Sequence, residues 1–241
     1  MYSFSSRIRY SETDEQGNLS LVSLINYLQD CALFQTDELG VGLDHLTQKQ
    51  LAWLIAGWQI QITQMPQYGQ DIVVSTWPTQ IQGVFAHRNF TICSPDGFEY
   101  IRADSLWFMF DFAKQSPIVP PEEEWGPYIA QAETPLDMPK MSRKLRIDTH
   151  LEGVAQPSFV VSAQHLDTNH HVNNAQYVEF ARAAAGDSIK AKRILVQYVS
   201  AAMLGDTIVP VVYTSKEDTT VSLNAPNEKP YAIVKFLNAI N

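Results

Sequence analysis

The segment Asp167-Thr-Asn-His-His-Val-Asn-Asn174 stands directly before a run of residues with helical spacing, and a related arrangement occurs in the first half of the chain. Aligning Asp14 with Asp167 places Leu19-Ser-Leu-Val-Ser-Leu-Ile-Asn-Tyr27 on Val172-Asn-Asn-Ala-Gln-Tyr-Val-Glu-Phe180. Similar segments in matched order indicate an internal duplication, with two copies of one structural unit. Two unrelated halves of mixed helix and strand are the alternative.

Each predicted copy consists of one helix followed by strands. Apolar residues at three- and four-residue steps predict a helix over 19–39 and a second over 173–188, which end near Gly40 and Gly186. Period-two alternation predicts strands after each helix. In the first copy they begin at about residue 52 and include 71–77, 84–93 and 99–112, and in the second they are 193–202, 206–215, 218–224 and 230–239. We expect the first four strands to form an antiparallel meander.

The segment 113–156 between the copies has a different composition. It contains six prolines and the acidic run Glu122-Glu-Glu124, which is typical of a surface connection, and a short helix is predicted near 121–131. The predicted organisation is therefore an α+β unit at 1–112, a connector at 113–156 and a second α+β unit at 157–241. One helix covers one face of an antiparallel sheet in each unit.

Composition excludes several classes of protein. Of the 241 residues, 45% are hydrophobic and 18% are charged, which is ordinary for a globular chain and argues against disorder. A net charge of −9 gives no support to binding of nucleic acid or of an anionic membrane. Cys31 and Cys93 form neither a disulfide framework nor a metal-site spacing. With no signal-peptide pattern and no membrane-spanning apolar stretch, the expected location is cytoplasmic.

The side chains of Asp167, Asn169 and His171 alternate along the chain, so in an extended segment they would project from one face. The following helix is expected to begin at about Asn173 or Asn174, which are good capping residues. The free N–H groups of that helix could then stabilise an oxyanion, while His171 could act as a general base on water. Asp167 could orient this assembly, and the Asn169 amide could hold a water or a carbonyl. Loop and capping residues without chemistry are the alternative.

These features together resemble a known family. A helix wrapped by a long antiparallel sheet, present twice, resembles the double hotdog fold, and the sequence looks like the acyl-acyl-carrier-protein thioesterases of bacteria and plants. The residues that carry the likeness are Tyr10-Ser-Glu-Thr-Asp14, Asn26-Tyr-Leu-Gln-Asp-Cys-Ala32, Leu39-Gly40, Trp53, Pro66-x-x-Gly69, Thr76-Trp-Pro78, Arg88-Asn-Phe90, Ala103-Asp-Ser-Leu-Trp107 and Asp167-x-Asn169-x-His171-Val-Asn-Asn174.

The resemblance implies hydrolysis of the thioester between a fatty acyl chain and the phosphopantetheine arm of an acyl carrier protein, which ends fatty acid synthesis. It implies no cofactor and no metal. The catalytic residues would be Asp167, Asn169 and His171 in the second unit, with the acyl tail in the first. The matching segment of the first unit, Asp14-Glu-Gln-Gly-Asn18, has no histidine, so we expect that copy to be inactive.

The sequence departs from the family pattern at Ala201, where the family has a glutamate that is counted among its catalytic residues. Three alternatives follow. Catalysis runs on Asp167, Asn169 and His171 alone, another carboxylate substitutes, or the chain is weakened or inactive. The competing functions are accordingly an acyl-carrier-protein thioesterase, an acyl-CoA thioesterase and a non-catalytic acyl-binding protein.

The expected partner is an acidic carrier protein, which would require a local basic patch on a chain of net negative charge. The candidates are Lys140, Arg143, Lys144, Arg146, Lys190, Lys192 and Arg193. Scattered solvated charges are an equal alternative. Nucleic acid and membrane partners are not expected, and the chain could be a monomer or a homodimer.

Overall fold

The computed structural model describes residues 1–186 and 191–239, and the chain divides into two compact units. The first unit comprises Met1–Ala56 and Ile62–Met141, and the second comprises Gly57–Gln61 and Ser142–Asn241. The predicted connector, 113–156, is thus divided. Its first part packs with the first unit because it supplies a strand and a helix there, and its second part supplies a strand to the second unit.

The first unit has one long helix and an antiparallel sheet. Its elements are β1 (Tyr2–Arg7), α1 (Leu21–Glu38), α2 (Leu43–Gln48), β2 (Leu51–Ile62), β3 (Asp71–Gln82), β4 (Phe85–Cys93), β5 (Glu99–Asp111), β6 (Ser116–Ile118) and α3 (Glu122–Ile129), with a one-turn 3-10 helix at Tyr10–Glu12. Strands β1, β3, β4 and β5 pair antiparallel in that order, and β6 pairs with β5.

The predicted meander is wrong in one respect. Strand β2 lies beside β5 and not beside β3, because β1 occupies that edge of β3. The sequence analysis did not predict β1. Its six residues alternate between half-buried and exposed side chains, but only Tyr2 and Phe4 on the inward side are apolar, which gives a weak strand signal.

Helix α1 begins and ends where local chemistry predicts. The Ser20 hydroxyl accepts a hydrogen bond from the backbone N–H of Ser23 at 3.2 Å, which satisfies one of the free donors of the first turn. Gly40, with φ of 75°, follows the last turn in the left-handed conformation that glycine adopts without strain. The buried stripe of α1 packs on β1 and β3 and includes Leu24, Ile25, Leu28 and Cys31, as the spacing predicts.

The second unit repeats this plan. Its elements are β7 (Val154–Ala155), β8 (Phe159–Val160), a one-turn 3-10 helix (Ala163–His165), α4 (Asn174–Ala185), β9 (Arg193–Tyr198), β10 (Thr207–Thr214), β11 (Asp218–Asn224) and β12 (Pro230–Leu237). Strands β9, β12, β11, β10 and β7 pair antiparallel in that order, β8 also pairs with β10, and residues Gly57–Gln61 of β2 pair with β9.

Helix α4 packs on β10, β11 and β12 and is followed by Gly186 with φ of 91°. The helix was predicted over 173–188, and its last positions, 187 and 188, lie outside the described residues. Each unit is a helix on an antiparallel sheet, so the chain has the α+β tandem hotdog fold that the sequence predicts. Within residues 1–186 and 191–239, no helix is both long and apolar enough to span a membrane.

Candidate active site

The motif that contains Asp167, Asn169 and His171 forms a tight turn. The Asp167 N–H donates to the His171 carbonyl at 2.8 Å, and Leu166 pairs with Val172 across the turn. His170 takes a left-handed conformation with φ of 61° to complete it. The expectation of an extended segment with three side chains on one face is therefore wrong, because an aspartate side chain can hydrogen-bond the backbone beyond it and favour a turn.

The Asp167 carboxylate holds this turn together. Its Oδ1 accepts a hydrogen bond from the Asn169 N–H at 2.8 Å and another from the His171 N–H at 3.2 Å. Both bonds fix the backbone that carries the two other motif residues. In this structure Asp167 thus acts on Asn169 and His171 through their main chain.

The side chains of Asn169 and His171 are available for other partners. Asn169 is exposed and His171 is half-buried. Among the described residues, neither side chain makes a hydrogen bond to another residue. A neutral imidazole offers one donor and one acceptor, and an amide offers both as well. Each of these side chains can therefore bind a water molecule or a polarised carbonyl.

The turn leads directly into the N-terminus of α4. The Asn173 side chain caps the helix and accepts a hydrogen bond from the Ala175 N–H at 2.8 Å, as predicted from its position. The Asn173 N–H donates to the His165 carbonyl at 2.9 Å, which fixes the entry to the helix. The amino end of a helix carries a partial positive charge, and α4 begins three residues after His171, at Asn174. A developing negative charge is stabilised in such a position.

A second segment of backbone, residues 201–203, runs beside the motif. Met203 pairs with His171, and the Val172 N–H donates to the Ala202 carbonyl at 2.9 Å. Ala201 is exposed and Ala202 is buried. Because alternate residues of an extended segment face the same way, a side chain at 201 is on the side of Met203, its partner His171 and the turn. A glutamate at position 201 would therefore lie next to this turn, and alanine provides no carboxylate at that position.

Asp206 is the acidic residue nearest in sequence to Ala201, and its carboxylate stabilises a backbone turn. Asp206 Oδ2 accepts a hydrogen bond from the Met203 N–H at 2.8 Å. In the first unit Gln70 makes the same contact, since its Oε1 accepts from the Gln67 N–H at 2.6 Å. A neutral amide fills the same place, so the contact of Asp206 belongs to the turn and is not evidence of a substitute catalytic carboxylate.

The first unit contains the same turn without the histidine. Asp14 Oδ1 accepts from the N–H groups of Gln16 and Asn18 at 3.0 and 2.9 Å, and the Asp14 N–H donates to the Asn18 carbonyl at 2.8 Å. Gly17, with φ of 78°, takes the place of His170. Gln16 therefore stands in the place of Asn169, and Asn18 stands in the place of His171. The hydrogen bonds of this loop therefore agree with the predicted alignment of the two copies.

Two tyrosines that the sequence analysis did not select bind the backbone around the motif. The Tyr177 hydroxyl accepts a hydrogen bond from the Ala202 N–H at 2.7 Å, and the Tyr198 hydroxyl donates to the Asn174 carbonyl at 2.9 Å. Burial raises the pKa of Tyr177 to about 12 and that of Tyr198 well above its usual range. The available signal was the predicted alignment, which sets Tyr177 opposite the apolar Leu24.

His165, Cys31 and Cys93 lie in contacts that are typical of structural residues. The His165 ring accepts a hydrogen bond from the Ser162 N–H at 3.1 Å and packs edge-on against Phe180. Cys31 is fully buried, and burial raises the pKa of its thiol to about 12, as expected for a small core residue. Cys93 is half-buried in β4. Among residues 1–186 and 191–239, no group of three or more His, Cys, Asp and Glu could hold a metal ion.

The predicted basic patch is only partly on the surface. Arg193 is 8% exposed, and its guanidinium donates to Gln59 Oε1 at 2.7 Å, so its inclusion was wrong. The inward side of β9 carries this residue because strand side chains alternate. Lys190 lies outside the described residues. The other candidates, Lys140, Arg143, Lys144, Arg146 and Lys192, are exposed.

Comparison with known proteins agrees with the resemblance. The acyl-ACP thioesterase N-terminal domain family matches residues 1–128, and the C-terminal domain family matches residues 150–228. A palmitoyl-acyl carrier protein thioesterase of Arabidopsis thaliana chloroplasts is 27% identical over 183 residues, covering 71% of this chain and 44% of that protein. The chain thus spans less than half the length of this curated relative.

Solved structures have the same fold. An acyl-ACP thioesterase from Bacteroides thetaiotaomicron superposes with a TM-score of 0.85 at 21% identity, covering 98% of this chain and 96% of that one. A 12:0-ACP thioesterase from Umbellularia californica gives a TM-score of 0.83 at 17% identity, with coverage of 98% and 96%.

Proposed function

Because the chain belongs to the acyl-ACP thioesterase family, we propose that it hydrolyses the thioester of a fatty acyl-acyl carrier protein and releases a free fatty acid. The observation that carries this proposal is the available imidazole of His171, held at the amino end of α4 in a turn whose copy in the first unit has Asn18 instead. Of the two turns, only the second contains a histidine.

The proposed reaction needs one water and no cofactor. His171 takes a proton from the water as its oxygen bonds to the thioester carbonyl carbon. The carbonyl oxygen becomes an oxyanion, which the amino end of α4 and the Asn169 amide can stabilise. When the tetrahedral intermediate collapses, the carbon–sulfur bond breaks and the imidazolium returns the proton to the thiolate. Asp167 contributes by holding the backbone of Asn169 and His171.

The substrate assignment rests on the family and on its relatives. The curated relatives that match are named as hydrolases of palmitoyl- and dodecanoyl-acyl carrier protein. By the same resemblance the acyl tail belongs to the first unit. The candidates for contact with the acidic carrier are the exposed Lys140, Arg143, Lys144, Arg146 and Lys192. The proposed assembly is a monomer or a homodimer.

Ala201 favours one competing function, an acyl-binding protein without turnover, because it removes a carboxylate beside the turn. We prefer hydrolysis since the proposed general base and the helix terminus do not depend on residue 201. Catalysis would then run on His171 and Asn169, with Asp167 as their support, at a rate lower than with an additional carboxylate.

The test measures release of free fatty acid from acyl-carrier-protein substrates of different chain lengths, with matched acyl-CoA substrates alongside. Wild type is compared with His171→Ala and with a control, His170→Ala, which alters the exposed neighbour. We expect turnover in wild type and in the control, and a loss of about 100-fold or more in His171→Ala. Turnover of CoA substrates alone would refute the carrier-protein assignment, and no turnover of either class would refute hydrolysis.

A further inference from the structure

Two buried hydroxyl groups support the backbone on either side of the His171 turn. The Tyr177 hydroxyl accepts the N–H of Ala202, and the carbonyl of Ala202 accepts the N–H of Val172, the residue next to His171. The Tyr198 hydroxyl donates to the carbonyl of Asn174, the first residue of α4. The two tyrosine hydroxyls therefore restrain both ends of the segment from His171 to Asn174, one through Ala202 and the other directly.

The first unit serves as an internal comparison. Aligned through the two turns, Leu24 of α1 stands in the place of Tyr177. Ile62 stands in the place of Tyr198. The two residues after each of them make matching backbone hydrogen bonds. The N–H groups of Thr63 and Gln64 donate to the Tyr100 carbonyl at 2.9 and 3.3 Å, and those of Val199 and Ser200 donate to the Tyr231 carbonyl at 2.8 and 3.2 Å.

The unit without a histidine thus has two aliphatic side chains where the unit with a histidine has two tyrosines. Leu24, Ile62 and Tyr177 are buried, at 0%, 5% and 2% exposure. The Tyr198 side chain is half-buried. The first unit folds the same turn, with the same Asp14 bonds, without either hydroxyl. The hydroxyls are therefore not required to form the turn.

We propose that Tyr177 and Tyr198 are positioning residues for the reaction, which set the place of the His171 backbone and of the α4 terminus relative to each other. This inference rests on the proposed hydrolase function. A general base and an oxyanion-binding group must be held within a fraction of an ångström of their productive positions. Two hydroxyl bonds to the backbone supply that restraint, where the aliphatic pair of the first unit supplies packing alone.

The rings themselves form a further link, since Tyr177 and Tyr198 pack edge to face with centroids 5.8 Å apart. Burial raises the pKa of both phenols, so both keep their protons at neutral pH. Tyr177 accepts a hydrogen bond and still has a proton to donate, and Tyr198 donates its own. Replacement by phenylalanine removes these bonds and preserves the ring packing.

The test compares Tyr177→Phe and Tyr198→Phe with a control, Tyr27→Phe. The Tyr27 side chain is 7% exposed and its hydroxyl bonds Ser6 and Glu12 in the first unit, so the control also loses a buried hydroxyl bond. We expect kcat to fall about 10- to 100-fold in each second-unit variant, with KM changed less than threefold, because a small displacement of reacting groups costs rate. The control is expected to keep kcat within twofold of wild type.

A second measurement does not depend on turnover. In isotope-labelled full-length protein, we expect the amide resonances of His171 and Val172 to shift in Tyr177→Phe and to stay in place in Tyr27→Phe. If wild type has no hydrolase activity, the proposed function fails and these resonances still decide the positioning inference. Unchanged resonances in both second-unit variants would overturn it. The inference would also be overturned if both second-unit variants kept the wild-type kcat. The same holds if kcat fell in all three variants in proportion to their loss of unfolding free energy.

Discussion

Asp14 and Asp167 hold their loops with the same pair of hydrogen bonds, in which one carboxylate oxygen accepts from the N–H groups two and four residues later. One loop carries a histidine and the other does not. The shared carboxylate therefore explains the shape of the loop, and the residues that differ explain its chemistry. This comparison separates structural from chemical roles within one chain.

The first prediction concerns stability. Asp14→Ala and Asp167→Ala should each lower the free energy of unfolding by about 1 kcal/mol or more, because each leaves two backbone N–H groups without their acceptor. Asp167→Asn should lose less, since its amide oxygen can still accept. Urea unfolding of the three variants measures this. Equal stability of Asp167→Ala and wild type would contradict the role given to the carboxylate.

We also expect Asp14→Ala and Asp167→Ala to differ in hydrolase activity. We expect Asp167→Ala to lower kcat, because the N–H groups of Asn169 and His171 are no longer fixed. Asp14→Ala should leave kcat unchanged at a similar loss of stability, since its loop has no histidine. Hydrolysis assays below the unfolding temperature of both variants make the comparison.

The second prediction concerns His170, whose φ of 61° is unusual for a residue with a side chain. Glycine takes that conformation without strain and occupies the matching place in the first unit, as Gly17. We expect His170→Gly to raise the free energy of unfolding by up to about 1 kcal/mol and His170→Val to lower it. Thermal unfolding tests the order. Greater stability of the valine variant than of the glycine variant would refute it.

Local patterns predicted most of the fold. The spacing in α1 and α4, the capping residue Asn173, and the glycines at both helix ends are short-range signals, and the structure has each of them. The position of β2 beside β5 was not predictable in this way, because strand order depends on contacts between residues far apart in sequence. Strand β1 was missed since only two residues of its inward side, Tyr2 and Phe4, are apolar.

The structure places the three candidate residues in one turn, but in a different geometry from the one predicted. The spacing of Asp167, Asn169 and His171 indicated a common face, but the turn is set by side-chain bonds to the backbone that alternation does not register. Tyr177 and Tyr198 were not selected because their hydroxyls bind carbonyl and N–H groups that meet them only in the folded unit. The alignment already set Leu24 opposite Tyr177. The role of this difference could be recognised only after the structure showed the hydrogen bond between the Tyr177 hydroxyl and the Ala202 N–H.

The third prediction restores the carboxylate at position 201. Ala201 is exposed, so a glutamate costs little desolvation there, and it would project on the side of Met203 and its partner His171. We expect Ala201→Glu to raise kcat/KM by about tenfold, through orientation of water or of the imidazole. Ser200→Glu is the matched control, because the neighbouring residue faces the other way. An equal effect of both substitutions would contradict the placement.

The fourth prediction concerns Tyr128, which is 5% exposed and lies with its ring 5.2 Å from the guanidinium carbon of Arg88. Within the described residues its hydroxyl has no hydrogen-bond partner. A buried hydroxyl without a partner is destabilising, while phenylalanine keeps the contact with the cation. Tyr128→Phe should therefore match or exceed wild type in the free energy of unfolding at pH 7, by up to about 1 kcal/mol.

The difference between Tyr128→Phe and wild type should grow at alkaline pH. Burial raises the pKa of Tyr128 from 10.0 to about 12, although Arg88 opposes the shift. The folded state therefore keeps a proton that the unfolded state loses near pH 10, so stability is fully present below pH 10 and falls as the pH rises to about 12. By pH 11, Tyr128→Phe should remove about 1.4 kcal/mol of that fall, and the tyrosine at 177 should account for a further part. Urea unfolding at pH 7, 9, 10 and 11 measures the difference, and parallel stability curves for the two proteins would show that the Tyr128 hydroxyl is not protonated more tightly in the folded state.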